Sequence, residues 1–257
     1  MSAGRRVEYI PLEGIPLVEP GDDLASLIRQ SLATTGVELQ RHDVLVIAQK
    51  IVSKSEGRYV RLSDVRPSAA AQALAAQVGK DARFIEVVLG ESQEIVKHRP
   101  NVVITAHRLG FVMANAGIDQ SNIEHGDGDE RVLLLPKDPD GTARNLKIAL
   151  DPTSDLSLGV IINDSFGRPW RNGVVGVALG AAGVPSLLSQ VGVPDIFGRA
   201  MRVTEVAVAD EIASAASLLM GQAGQRLPVI LIRGLGLGGQ EQPAAALLRP
   251  KSLDMFR

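Results

Sequence analysis

VIINDSFGRPWRNG, residues 160–173, opens on three β-branched apolar residues and closes in a basic, turn-rich run holding the chain's single Trp. Val160, Ile161 and Ile162 predict a strand buried on both faces. Asp164 and Ser165 then fall where that strand leaves the sheet, and the carboxyl edge of an α/β sheet is where ligands collect. A carboxylate beside a hydroxyl, with Arg168 and Arg171 close behind, suits a divalent cation and a phosphate. A strand ending in an ordinary Asp/Ser turn would explain the first pair alone. The run FGRPWRNG is too rich in Arg, Trp and Gly for a plain connection.

Composition bounds the rest. A chain of 257 residues can bury a sizeable core as one large domain or two small ones. Its 27 basic and 29 acidic residues give a net charge of -2 without long blocks of one sign. That balance argues against nucleic acid or an anionic membrane as the main partner. With no Cys there are no disulfides, thiolate chemistry or Cys-ligated zinc. No window has the length and apolarity of a signal peptide or a membrane span, so a cytoplasmic location is expected. Hydrophobic content of 45% with 3% aromatics means a core of Val, Leu, Ile and Ala, which fits α/β layering.

Working outward, Val7–Leu12 predicts a short strand, and Asp23 caps a helix with Leu24, Leu27, Ile28 and Leu32 on one face. Val44–Ile47 predicts a second buried strand. Lys50 and Lys54 lie around its exit, as phosphate-binding lysines do, although two surface lysines fit the same spacing. Helices are expected over Ser68–Gly79 and Asp81–Lys97, then strands at Val102–Thr105 and Phe111–Met113. The second of these delivers ANAGIDQSN, a strand exit where Asp119 and Asn122 could face one pocket or merely close an Asx-rich turn. The acidic run 124–130 lacks the spacing of a calcium loop and reads as a solvated turn. A strand at Val132–Leu135 and a helix at Thr142–Leu150 precede the central strand. After it come a glycine-rich strand at 173–183, an irregular stretch to Arg199, a strand at Met201–Val206, a helix at Ala209–Met220 and a buried strand at Val229–Ile232. GLGLGG at 234–239 follows a strand but opens no convincing helix, so no dinucleotide loop is assigned. The four His are scattered, without metal-ligand spacing.

Taken together, GIPLVEPGDDLASLI (14–28), DVLVIAQKIVSKSEGR (43–58), KHRP (97–100), FVMANAGIDQSN (111–122), NDSFGRPWRNG (163–173), FGRAMRVTEVAVADE (197–211) and PVILIRG (228–234) resemble, in order, the γ-glutamyl ligases of the deazaflavin coenzyme F420. The resemblance covers roughly residues 7–235. It implies a mixed α/β catalytic domain over 1–235 with a C-terminal tail at 236–257, in a fold neither Rossmann nor ATP-grasp. It further implies a homodimer that joins L-glutamate to the coenzyme precursor using GTP, magnesium or manganese (two ions), and a potassium ion. Asp119 and Asp164 would ligate one metal, with Ser165 and the position of Gln222 serving a second. Asn122 would contact nucleotide. Pro16, Leu17, Val18, Ser53, Lys54, Arg58 and the loop from Met220 through Gly221, Gln222, Ala223 and Gly224 to Leu227 would line the GTP site.

Such a ligase would pass through an acyl phosphate, with paired carboxylates holding cations against the phosphates. Lys54 and Arg58 would add fixed positive charge. Arg168 or Arg171 would hold a substrate phosphate or carboxylate, an assignment made from residue type. The chain departs from the family's pattern in two places. Val174-Val175-Gly176 stands where a polar residue often follows the motif, and Gln222 is a neutral amide where an acidic ligand can occur. Two other readings use the same residues: a metal-dependent nucleotide phosphohydrolase, and a deazaflavin- or GTP-binding protein without turnover.

Overall fold

The computed structural model describes residues 6–123 and 130–255. The chain begins with strand β1 (Glu8–Pro11), helix α1 (Leu24–Thr35), strand β2 (Val44–Ala48) and helix α2 (Gln49–Ser55). A second group follows: β3 (Tyr59–Arg61), α3 (Ala69–Val78), α4 (Ala82–Gly90), β4 (Ser92–Arg99), β5 (Val102–His107), β6 (Val112–Ala114) and β7 (Arg131–Leu133). The chain returns through α5 (Pro139–Leu150), β8 (Gly159–Arg168) and β9 (Arg171–Ala182). It closes with the short pair β10 (Leu188–Ser189) and β11 (Glu205–Val206), then α6 (Val208–Met220) and β12 (Val229–Arg233). Helix ends fall where capping chemistry puts them. Asp23 accepts from the Ala25 and Ser26 amides, and Gly36 ends α1 at φ 72°. Ser68 and Gly79 do the same for α3. No described helix is long and apolar enough to cross a membrane.

The main sheet runs β1-β12-β2-β8-β9, with β2 and β8 parallel and the other neighbours antiparallel. Its central strands are apolar on consecutive residues because both faces are covered. On one face, α1 and α5 set Leu24, Ile28, Leu32, Leu146 and Leu150 against Leu45, Ile47, Ile162 and Leu231. On the other, α6 packs Val208, Ile212 and Ala216 against Val46, Ile161 and Ile230. Each fully buried Leu, Ile or Val contributes about 1.5–3 kcal/mol, so this layer carries most of the fold's hydrophobic stabilisation.

A second core lies beside it. The sheet β4-β5-β6, the pair β3-β7 and helices α3 and α4 bury Phe84, Ile85, Val88, Val103, Val132 and Leu134. Phe111, Met113, Leu135 and Leu179, with Phe166 against them, join the two bodies. Residues after 235 dock rather than trail away. Asp140 accepts from the amides of Ala244 (2.7 Å), Ala245 (3.2 Å) and Ala181 (2.8 Å), and Ala244 is fully buried.

Three expectations need correction. The helix expected over Asp81–Lys97 stops at Gly90, and Ser92–Arg99 is a strand paired with β5. Ile95 has the helical spacing from Val88, but a partner distant in sequence claims the segment. Of Met201–Val206 only Glu205–Val206 is strand, paired to Leu188–Ser189. Most important, the turn-rich run expected after Val160–Ile162 is itself largely strand. β8 continues to Arg168 and turns directly into β9, pairing Ser165 with Gly176 and Arg168 with Arg171.

Candidate active site

The site forms where β8 outlives its neighbour. β2 pairs with β8 up to Ala48 and Asn163 and then ends, so from Asp164 onward one edge of β8 is open. A bulge between Ile162 and Asn163 sets Leu179 opposite no residue and twists the hairpin as it leaves the sheet. Strand alternation decides the rest. Asp164 falls on the face shared with Ile162, and Ser165 on the opposite face, shared with Ile161 and the α6 side.

On the first face, α2 starts directly from β2 and brings Gln49 and Lys50 over the open edge. Asp119 arrives from the second body. It is held by an isolated bridge in which Asp119 and Leu133 exchange amide-to-carbonyl bonds of 2.9 Å. The turn before it is strained, since Asn115 (φ 51°) and Ala116 (φ 54°) are both left-handed ahead of Gly117 (φ 66°). The left-handed φ of Gly117 favours glycine, and a Cβ there would press on Met113 Cε at 2.8 Å. Non-glycine residues in that region cost about 1–2 kcal/mol each and persist where surrounding structure enforces them.

Gln49 Nε2 donates to Asp119 Oδ2 at 2.8 Å, and Lys50 Nζ stands 3.3 Å from the same oxygen. Lys50 also donates to the Ser121 carbonyl. Burial raises the Asp119 carboxyl above its ordinary range even with Lys50 beside it. Asp164 keeps part of its surface open but is crowded by protein. That desolvation, with the charge of Asp119, pushes it up to about 7 against the hydrogen bond from the Ser165 amide. Holding both carboxyls ionised at once is therefore costly.

That electrostatic deficit is what a bound cation would fill. Among the described residues no cluster of three or more His, Cys, Asp or Glu exists. The donor set is two carboxylates with amide and hydroxyl oxygens nearby, which fits a hard cation completing its shell with water and phosphate oxygens. On the opposite face Ser165 Oγ donates to Gln222 Oε1 at 2.7 Å, and Gln222 Nε2 donates to Ser217 Oγ at 3.2 Å. The two residues proposed for a second metal thus meet across β8 from the first pair. Gly176 permits this, because a Cβ there would lie 2.3 Å from the Ala213 carbonyl oxygen of α6. The departure at 174–176 therefore includes a glycine that sets the approach of α6.

The remaining sequence-selected residues divide. Asn122 Nδ2 donates to the Ala223 carbonyl at 3.4 Å, joining the Asp119 turn to the exposed loop after Met220 that holds Gly221, Gln222, Ala223 and Gly224. Lys54 is close enough for its charge to lower Asp119. The segment of Pro16, exposed Leu17 and buried Val18 leads to Gly21, whose amide bonds the Ser55 carbonyl at the end of α2. Ser53 is fully buried, with its hydroxyl donating to Gln49 Oε1 at 2.9 Å. Arg58 pairs with Glu91 at 3.1 Å and donates to the Leu135 carbonyl at 2.9 Å. Arg168 lies four residues along the strand from Asp164, roughly 13 Å, and donates to the Gly173 carbonyl within the exposed hairpin tip. The acidic run's residues 124–129 lie outside the described residues. Gln49 was not selected from the sequence. Its signal was its place directly after the β2 strand, beside Lys50.

A profile of the F420-0:Gamma-glutamyl ligase family matches residues 14–234. The chain is 44% identical over 253 residues to the coenzyme F420:L-glutamate ligase of Methanothermobacter thermautotrophicus, covering 98% of this chain and 99% of that protein. Identity to the enzyme of the same name from Methanopyrus kandleri is 46% over 256 residues, covering 98% and 97%. For that of Archaeoglobus fulgidus it is 43% over 252 residues, with the same coverage. At this length and identity, the chain belongs to the F420-0:gamma-glutamyl ligase family.

Proposed function

We propose that this protein joins L-glutamate to the deazaflavin F420-0 by an amide bond, with GTP as the energy source and magnesium or manganese at the Asp119/Asp164 pair. The observation that carries the reading is that pair. Two carboxylates from separate bodies face each other at an open strand edge, one of them pushed up to about 7 by burial and its neighbour. In a family of glutamyl ligases, that deficit fits divalent cations bound with a triphosphate.

The reaction follows from the need for a leaving group. The terminal carboxylate of the acceptor attacks the γ-phosphorus of GTP, GDP departs, and the acyl phosphate is displaced by the glutamate amine, releasing phosphate. Asp119 and Asp164 would hold one cation, and Ser165 with Gln222 a second. The cations would neutralise charge on the phosphates during transfer. Lys50 and Lys54 supply positive charge on the same face, and Asn122 with the loop from Met220 to Gly224 borders the nucleotide. Arg168 and Arg171, on the exposed hairpin tip, are suited to a substrate phosphate or carboxylate. A potassium ion and further γ-glutamylation extend the same reading.

The homodimer belongs to this proposal as well. The arm between β10 and β11 exposes Val191, Val193, Ile196, Phe197 and Val203, five large apolar side chains in one short segment. Sedimentation at micromolar concentration should show a dimer, and Phe197→Asp should shift it to monomer. A wild-type monomer would remove this part of the proposal.

Incubation with GTP, Mg2+ or Mn2+, L-glutamate and F420-0, followed by mass spectrometry, tests the reaction. One added glutamyl unit with stoichiometric GDP is expected. GTP hydrolysis indifferent to both other substrates would favour a phosphohydrolase instead.

A further inference from the structure

We propose that Gln49, fixed in one amide orientation by Ser53, is a positioning residue that clamps Asp119 and Asp164 together and leaves Asp119 Oδ1 as the oxygen for a cation; this rests on the proposed function above. Gln49 and Ser53 stand one turn apart on α2, so their side chains meet on the same face. Gln49 is 2% exposed and Ser53 0%. A buried amide must satisfy both ends. Ser53 Oγ donates to Oε1 at 2.9 Å, and Nε2 donates to Asp119 Oδ2 at 2.8 Å. Reversing the amide would set its oxygen against a carboxylate oxygen at that distance, so the orientation follows from the charge it faces. The same side chain lies close enough to the Asp164 carboxyl to favour its charged form. One NH2 group thus lies between two like charges.

The chemistry of that group matters. A neutral donor offsets repulsion between the carboxylates without bringing a charge that competes with a metal. Lys50, whose ammonium stands 3.3 Å from Asp119 Oδ2, does compete. With Oδ2 taken by Gln49 and Lys50, Oδ1 is the oxygen with which Asp119 would hold a cation. Asp164 has one oxygen committed as well, since its Oδ1 accepts from the Ser165 amide at 2.8 Å. Groups outside the coordination shell that orient its ligands typically change metal affinity or activity by about 10–100-fold when removed.

The test is a Mn2+ titration of the full-length protein by calorimetry without nucleotide, beside steady-state kinetics and thermal melts. Gln49→Met keeps the length of the side chain and removes the donor. It is expected to weaken Mn2+ binding about tenfold and lower kcat about 10–100-fold, with the KM for GTP within about twofold and a near-unchanged Tm. Ser53→Ala should move both quantities in the same direction by less, and Ser53→Thr, which keeps the hydroxyl, should recover them. In the double variant Ser53→Ala should add nothing to Gln49→Met, because the serine acts through the glutamine. Wild-type Mn2+ affinity in Gln49→Met overturns the proposal, as does full additivity in the double variant. A loss of Mn2+ binding that only follows a fall in folded fraction overturns it too. The two readings fail separately: Mn2+ binding as expected with no glutamylated product leaves the clamp standing and removes the ligase.

Discussion

Along β8, Val160, Ile161 and Ile162 are fully buried between helices on both faces, whereas Asp164, Ser165 and Phe166 are partly open and Gly167 and Arg168 exposed. The first half is paired on both edges, to β2 and β9, and the second only to β9. One continuous backbone therefore passes from a segment whose residues are chosen by packing to one that carries a carboxylate whose ionisation opposes stability. A carboxyl at about 7 means the folded state carries an uncompensated cost whenever it ionises. The buried half supplies the rigidity that holds this cost in place.

Four substitutions would break or sharpen that contrast. Asp164→Asn should have the largest effect on turnover, a loss of at least about 100-fold, since the ligand role proposed for Asp164 should matter more than that of groups that orient it. It should also stabilise the metal-free protein. Burial and the neighbouring Asp119 raise the folded pKa of Asp164 from the ordinary 3.8 to about 7, so the folded state binds more protons between those values. Metal-free stability consequently falls as pH rises from about 4 to about 7. The Asn variant escapes that loss. Its stability advantage should be full above pH 7, on the order of 1–3 kcal/mol, and vanish below about pH 4. Thermal melts in chelator across that range measure it, and a wild-type protein more stable than the variant at pH 8 would refute the electrostatic account.

Ile162→Ala, two residues earlier, should do the reverse. It should destabilise by about 2–5 kcal/mol in urea unfolding, leaving the KM for GTP of the folded fraction unchanged. Gly176→Ala should cost about 1–3 kcal/mol, because the added methyl meets the Ala213 carbonyl of α6. It should also weaken activity by moving Gln222 from Ser165. At the hairpin tip Trp170 is 88% exposed, and Trp170→Ala should change unfolding free energy by less than about 0.5 kcal/mol.

Much of this was legible in the residues. Val44–Ile47, Val160–Ile162 and Val229–Ile232 read as buried strands and are, and the capped helices begin and end within a few residues of their signals. Asp119, Asp164 and Asn122 could be selected as strand-exit polar residues, and the structure brings the two carboxylates within range of each other's charge. Ser53 and Arg58 could be selected too, but the sequence could not say that the Ser53 hydroxyl turns inward to Gln49 or that Arg58 is engaged by Glu91. Those partners are supplied by α2's own turn in one case and by the end of α4 in the other. Ser92–Arg99 misled for a related reason, since its strand partner β5 outweighs its helical spacing.

The sequence by itself determined which segments are apolar on both faces, which ends carry carboxylates, and which family the ordered motifs resemble. These depend on local patterns and on residue types with fixed chemistry. Only the tertiary structure decided that β8 runs past β2, so that Asp164 meets Gln49 and Asp119 on one face while Ser165 meets Gln222 on the other. Strand length is set by pairing with distant residues, and the side to which each polar residue points follows from that pairing, so neither is contained in the local sequence.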